Sequence, residues 1–488
     1  MPDVLLYALV GSFYLLVVVP QMLVVVSENR RPMRTVAWLL VMLLLPVAGL
    51  VFYFFFGNTR KQRSFVSRAC SIQLARRSAV PFYSGGFPQL PEEHEPLIKL
   101  FRRQSKSYPY AGNRICTFTT GRGMLQSLLA DIAAARHHIH LDFYIVEDDR
   151  VGRAVRDALA AKAREGVSVR LVYDDVGCWN VKQRFFREME EAGIQVAPFL
   201  PVRFPKLHNK VDFRNHRKVV VIDGTTGYVG GMNLAERYFR DKGEERGWRD
   251  THMRIEGNAV AGLQRAFMAD WNVATGQTIT DPRYFPRVEE VPARPAVPDP
   301  NISSNALVQI VSSMPTTPWP DIMQGMILAI LKARKYCYLQ TPYFMPTEGV
   351  MFALQTAALS GVDVRLMIPE RADKRLLTWA TRAFLPDAVR AGVRVYLYRA
   401  GFLHSKTLVC DDTLFSCGST NIDFRSFERN FEVNAFVYDS RMALYMKDVF
   451  LKDQENCRLL NVEKWEQEHL SAWSRMRDSF IRLLAPLL

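Results

Sequence analysis

From residue 110 onward the sequence repeats itself once, and this duplication constrains the fold more than any other feature. Ala135–Leu141 resembles Ala333–Leu339, Gly166–Leu171 resembles Gly361–Leu366, and Ala192–Val196 resembles Ala391–Val395. The offsets are 198, 195 and 199 residues, in one order along the chain. A spacing of that size marks a duplicated domain and excludes a short-period solenoid. In the first copy, helical patterns at Met124–Arg136 and Val151–Glu165 alternate with apolar runs at Ile139–Ile145 and Val167–Tyr173 that predict strands. The texture predicts an α/β fold, two duplicated sandwich lobes each around a largely parallel or mixed sheet. Six prolines between Asp281 and Asn301 predict a linker. The expected domains are a first lobe at 111–280, a linker at 281–305 and a second lobe at 306–488.

What precedes the lobes has a different character. Val4–Val26 is 23 residues without a charge and Val36–Phe56 another 21. At 1.5 Å per residue either run spans a bilayer core of about 30 Å as a helix. The first run is too long for a signal-peptide h-region, follows Asp3 where basic residues would stand, and precedes no A-x-A site. Residues 1–57 therefore predict a transmembrane hairpin, and 58–110 a juxtamembrane linker. The loop between the runs carries Arg30, Arg31 and Arg34, whereas the flank after Gly57 carries Arg60, Lys61, Arg63, Arg68, Arg76 and Arg77. The larger count places the body on the cytoplasmic face by the positive-inside rule. With 63 Lys+Arg against 49 Asp+Glu, the whole chain suits an anionic partner, nucleic acid or lipid surface. The seven cysteines are scattered, with no C-x-x-C or Cys/His cluster, so neither a zinc site nor a disulfide framework is expected.

The chemistry sits in a motif that recurs with the duplication. His216, Lys218, Asp223 and Asn233 in the first half match His404, Lys406, Asp411 and Asn421 in the second. Glycine begins the G-x-x-N element of each, at Gly230 and Gly418. The flanking Val219–Ile222 and Thr407–Cys410 predict buried strands. On a strand, residues i and i+2 share a face, so each His and Lys point the same way, toward one phosphate. Lys218 and Lys406 offer point charges, Asn233 and Asn421 hydrogen bonds, and the glycines close backbone approach. His208-Asn209-Lys210 has no Asp seven residues on and is read as a decoy. No carboxylate cluster accompanies the motifs, so no metal and no cofactor is expected.

Two copies of H-x-K-x4-D-x6-G-[GS]-x-N resemble the phospholipase D superfamily. The Arg31–Leu40 run, Pro46 to Gly49, Phe56-Gly57, Gly247-Trp248-Arg249-Asp250 and Asp270-Trp271 are similar to its bacterial cardiolipin synthases with two N-terminal transmembrane helices. The resemblance implies phospholipase D-type lobes with the active site between them. It also implies a metal-free phosphohistidine mechanism, phosphatidylglycerol as substrate, cardiolipin as product and residence in the bacterial inner membrane. By the same likeness His216 is the nucleophile, His404 the acid, and Asp223 and Asp411 brace the site. A carboxylate after each G-x-x-N orients a histidine: Asp250 is expected to hold His216, and Glu432 to hold His404. The hairpin argues against a nucleic-acid substrate. The rivals within the superfamily are a hydrolytic phospholipase D and a phosphatidylserine synthase, and the intact motifs oppose an inactive membrane scaffold. Nothing in the residues decides whether the chain is a homo-oligomer. Two further segments are candidate lipid-facing helices: Leu376, Leu377, Trp379, Phe384 and Leu385 among basic residues, and Trp465, Leu470, Trp473, Met476, Phe480 and Leu484 near the C-terminus. For the latter, packing on its own domain is the favoured expectation.

Overall fold

The computed structural model describes residues 11–27, 32–53, 65–84, 88–202, 212–239, 247–288 and 299–461, and near the C-terminus 476–477, 479–482 and 485. The chain forms two compact units, Met1–Phe65 with Val202–Phe213, and Val66–Pro201 with Arg214–Leu488.

In the first unit, residues 11–27 are helical with a π-helical stretch at Tyr14–Val18. Pro32–Leu44 and Pro46–Phe52 form two more helices. The break falls at Leu45, with φ −132° and ψ 69°. Pro46 causes it, because proline pushes the residue before it out of the α region and cannot donate to the helix. The helices pack through Val18, Val25, Met42 and Tyr53. Trp38 meets the Tyr53 ring edge-on at 5.3 Å, and the Tyr14 hydroxyl donates to the Leu43 carbonyl at 3.0 Å. Among the described residues no helix is long and apolar enough to cross a membrane. Residues 4–10 of the first expected span and 54–56 of the second lie outside the described ones, and Pro46 divides the second.

The second unit opens with helix α1 (Arg68–Ser84) and is built on a 16-stranded sheet. Its first half supplies β1 (Pro109–Phe118), β2 (His138–Phe143), β3 (Ser168–Asp174), β4 (Gln195–Phe199), β5 (Arg214–Asn215), β6 (Lys218–Ile222), β7 (Thr226–Gly230) and β9 (His252–Glu256). The short β8 (Trp248–Arg249) lies outside this sheet. The second half supplies β10 (Ile302–Ser313), β11 (Tyr336–Gln340), β13 (Asp363–Pro369), β14 (Arg394–Tyr398), β16 (Thr407–Cys410), β17 (Leu414–Gly418), β19 (Asn430–Tyr438) and β20 (Cys457–Leu459). The short strands β12 (Phe344–Met345) and β18 (Ile422–Asp423) pair only with each other, and β15 is Phe402–Leu403. The order across the first half is β4-β3-β2-β6-β7-β9-β1, and across the second β10-β19-β17-β16-β11-β13-β14-β20. Each half has three parallel strands, β2-β3-β4 and β11-β13-β14, and otherwise antiparallel neighbours in the sheet. The duplicated α/β architecture expected from the repeats is therefore present, and the sheet is mixed. The halves join edge to edge through antiparallel β1 and β10, with Pro109 opposite Gln309 and Tyr110 opposite Val308.

Parallel neighbours require crossovers, and helices supply them. Between β2 and β3 runs α2 (Arg150–Arg164), capped by Asp149, whose carboxylate accepts from Val151 N and Gly152 N at 2.9 Å. It buries Val151, Val155 and Leu159 against Ile139, Leu141 and Leu171 of the sheet. Each such fully buried side chain contributes about 1.5–3 kcal/mol. Between β3 and β4 lies α3 (Gln183–Glu191), and α4 (Val260–Thr275) follows β9. In the second half α5 (Glu348–Leu359) and α6 (Arg375–Arg390) make the crossovers, and α7 (Ser440–Gln454) follows β19 as α4 follows β9. In α6, Phe384 and Leu385 are buried and Leu376 and Trp379 half-exposed. At the C-terminus, Ile481 and Ala485 join the second core while Met476 and Phe480 are exposed. Trp465, Leu470, Trp473 and Leu484 lie outside the described residues, as do His208-Asn209-Lys210 and 289–298 of the proline-rich segment.

Candidate active site

The two motif strands β6 and β16 are buried throughout. Their ends are held identically. Asp223 and Asp411 each have φ +52°, a left-handed conformation that aspartate tolerates better than most residues. The Asp223 carboxylate accepts from the backbone N–H groups of Arg136, His137 and His138 at 2.7–2.9 Å. Asp411 accepts from Arg334, Lys335 and Tyr336 at 2.6–2.9 Å. Both aspartates thus tie the motif strand to the start of its neighbour, β2 or β11, and act on the chain's own backbone.

The catalytic candidates of the two halves come together through two short parallel pairings that cross between lobes. β5, just before His216, pairs with the start of β19, and β8 pairs with β15, just before His404. His216 N donates to the Phe431 carbonyl at 3.0 Å, and His404 N to the Arg249 carbonyl at 2.7 Å. Each histidine therefore lies beside the carboxylate of the opposite lobe. His216 Nδ1 meets Glu432 at 3.0 and 3.2 Å, and His404 Nδ1 meets Asp250 at 2.6 Å. The expected pairing, Asp250 with His216 and Glu432 with His404, is reversed. Chain order suggests a carboxylate from the same lobe, but the crossed backbone pairing brings the other one.

The two carboxylates are seated differently. Glu432 also accepts from Asn430 Nδ2 at 3.2 Å and from the Ser419 hydroxyl. Gly231 stands where the second half has Ser419, and a Cβ there would collide with the Asp250 carboxylate. The glycine thus makes room for the shorter acid, which accepts from Thr251 N at 2.7 Å. Burial pushes Glu432 up, but His216, Lys218 and Ser419 outweigh it and leave Glu432 below the usual carboxylate range. Burial raises Asp250 to about 6 against the opposing pull of Lys406.

Burial, then Lys218, lowers His216 to about 4, and burial with Lys406, Lys218 and His216 takes His404 well down. The lysines are fully enclosed. Burial lowers Lys218 to about 7 and Lys406 to about 8, each partly offset by Glu432 and Asp250. Each motif thus feels the charges of the other, and the four residues form one electrostatic unit. Lys218 Nζ donates to the His216 carbonyl at 2.6 Å, and Lys406 Nζ lies 2.8–3.1 Å from the His404 ring nitrogens. Asn233 Oδ1 accepts from Ile145 N at 3.1 Å while its amide donates to the Tyr238 hydroxyl at 2.6 Å, leaving a second N–H for a ligand. Asn421 keeps a buried oxygen without a hydrogen-bond partner.

Several residues of the site are not specified by the H-x-K pattern, although Trp248, Arg249 and Asp270 lie in segments that carry the family likeness. Tyr144 stands 5.0 Å from the His216 ring, and Tyr238 and Trp248 stand 5.4 and 5.0 Å from that of His404. Arg217 donates to the Glu432 carbonyl at 3.1 Å and pairs with Asp270 of α4 at 2.5 Å. Arg249 donates to the Asp250 carbonyl at 2.6 Å and pairs with Asp453 of α7 at 2.7 Å. Each arginine ties an orienting carboxylate residue of one lobe to a helix of the other. A signal for the helix partners does exist: Asp270 and Asp453 are 183 residues apart, close to the 188 between the histidines. Among the described residues no group of three or more His, Cys, Asp or Glu is placed to hold a metal ion.

This arrangement has counterparts among known proteins. Residues 128–271 and 326–454 match the family described as cardiolipin synthase, PLD-like domain, and residues 12–58 match the phospholipase D-nuclease N-terminal family. The chain is 40% identical over 397 residues to the major cardiolipin synthase of Bacillus subtilis (strain 168), covering 81% of this chain and 80% of that protein. It is 37% identical over 440 residues to a cardiolipin synthase of Halalkalibacterium halodurans, covering 88% and 84%. The solved phosphatidylserine synthase of Haemophilus influenzae Rd KW20 aligns with TM-score 0.59 at 14% identity, covering 81% of this chain and 100% of that one, which shows a shared fold. The chain belongs to the phospholipase D-like cardiolipin synthase family.

Proposed function

We propose that this chain is a membrane-anchored phosphatidyltransferase that joins two phosphatidylglycerols into cardiolipin and releases glycerol. The observation that carries the reading is the crossed pair of histidine–carboxylate contacts, which puts two oriented imidazoles and two buried lysines in one site. The Glu432 carboxylate accepts from His216 Nδ1–H, which fixes the tautomer and leaves the Nε2 lone pair free to attack phosphorus. His404, protonated once the anionic phosphate lies beside it, gives its proton to the leaving glycerol oxygen. The phosphatidyl group then sits on His216. His404, now neutral, takes the proton from the hydroxyl of a second phosphatidylglycerol, whose oxygen displaces His216 and forms cardiolipin. Lys218 and Lys406 neutralise the non-bridging oxygens, and Asn233 and Asn421 add hydrogen bonds. The anchor is supported by the uncharged runs and by apolar side chains exposed on the N-terminal helices, such as Leu16 at 76% and Leu44 at 73%. The larger basic flank after Gly57 supports a body on the cytoplasmic side. Purified protein in phosphatidylglycerol vesicles is expected to yield cardiolipin and glycerol in equal amounts. Phosphatidic acid as the main product across lipid densities would replace this reading with hydrolysis.

The buried charges also set a pH optimum. Asp250 is raised to about 6, so it gains a proton, and His404 loses its acceptor, as pH falls through that value. Lys218 and Lys406 are lowered to about 7 and about 8, so their charge is lost as pH rises through those values. His216 stays neutral down to about 4. The pH profile of kcat/KM, which reflects the free enzyme, is expected to peak between about 6 and about 7. A rate still climbing above a pH of about 9 would show that lysine charge is not needed.

A further inference from the structure

A groove of about 650 Å³ lies against the exposed side of α1, away from the catalytic residues and sharing none of them. One wall is apolar, with Ile72 and Val80 about half exposed beside Ala79. The groove is also lined by three cations, Arg76 of α1 beside Ile72 and Val80, Lys106 just before β1, and Arg265 of α4. No carboxylate lines the groove, and none of the three cations forms an ion pair among the described residues. Asp321 is the acidic group whose charge reaches Arg265, and burial holds its carboxyl up at about 7, so much of its charge is absent near neutrality. Lys106 has φ +53°, and its carbonyl accepts from Arg265 Nη1 at 2.8 Å. A non-glycine residue held in that region persists only where its surroundings enforce it. Here the turn's carbonyl holds the Arg265 guanidinium beside Lys106.

We infer that this groove binds an anionic phospholipid of the bilayer in addition to the lipids at the histidines, the phosphate lying among Arg76, Lys106 and Arg265 and an acyl chain along Ile72, Ala79 and Val80. The apolar wall selects a lipid over free phosphate or nucleic acid, and the unpaired cations select an anionic headgroup over a zwitterionic one.

The inference is tested on the full-length chain in phosphatidylcholine nanodiscs. These are doped with phosphatidylglycerol, or as control phosphatidylcholine, carrying a photoactivatable acyl chain, and the cross-linked peptides are identified by mass. Labelling is expected on the peptide containing Ile72–Val80, at least about fivefold stronger with the anionic probe, and to fall more than about tenfold in Arg76→Glu/Lys106→Glu. A tenfold loss corresponds to about 1.4 kcal/mol for the two cations together. Cardiolipin formation by this variant in detergent-mixed micelles at saturating lipid is expected to stay near the native rate, which also shows that it folds. Equal labelling by the two probes, or labelling unchanged by charge reversal, overturns the site. The cross-link is read without turnover and circular dichroism of the variant reports its folding independently of activity, so the result stands whether or not the chain makes cardiolipin.

Discussion

Cardiolipin formation is expected to fall by at least about 10³-fold in both His216→Ala and His404→Ala, because in the proposed double displacement one removes the nucleophile and the other the acid–base. An activated substrate separates their roles. A phosphatidyl ester of p-nitrophenol leaves without needing a proton, so His404→Ala is expected to release a burst of nitrophenol stoichiometric with enzyme, whereas His216→Ala releases none. Near-native synthesis by either variant would end the shared-site reading. A burst in His216→Ala and none in His404→Ala would exchange the two roles. Circular dichroism of both variants should match that of the native protein, since neither histidine belongs to a core cluster.

The crossed carboxylates make the second large prediction. Glu432→Gln and Asp250→Asn each replace an anionic acceptor by an amide that supports the wrong tautomer, an exchange that costs about 10²–10⁴-fold where a histidine depends on it. The native reaction should suffer from both. With the nitrophenyl ester the two should part: Glu432→Gln disables the nucleophile and loses the burst, and Asp250→Asn, which disables only the proton donor, keeps it. Pairing within each lobe demands the opposite split, so a burst that survives Glu432→Gln and vanishes in Asp250→Asn would reject the crossed pairing.

That split also marks what can be read from the sequence. Repeats, helices and motif strands are legible because they are local. α2, expected at Val151–Glu165, is found at Arg150–Arg164, and Val219–Ile222 and Thr407–Cys410 are strands as expected. The residues of both H-x-K motifs are legible because they recur. Which carboxylate serves which histidine is not, since it depends on the two-residue strands β5 and β8 pairing with the other half. No periodicity marks a pair so short. Arg217 and Arg249 escape for a related reason. They hold equivalent helix aspartates from non-equivalent places, one inside the H-x-K motif and one beside Asp250, so aligning the halves does not match them. In the N-terminal runs, absence of charge does not reveal that Pro46 divides the second run into two helices.

The exchange of carboxylates between lobes has a consequence for how the protein is made. During synthesis the first lobe, with His216 and Lys218, leaves the ribosome well before Glu432 exists, because 215 residues separate His216 from Glu432. Asp250 likewise emerges long before the His404 it serves. A nascent or truncated chain holds His216 without the Glu432 carboxylate that meets its Nδ1 and without the His404 of the other motif. On the proposed mechanism, full reactivity requires the last third of the polypeptide to dock β19 against β5, so completion of the chain is itself a safeguard against a half-built transferase.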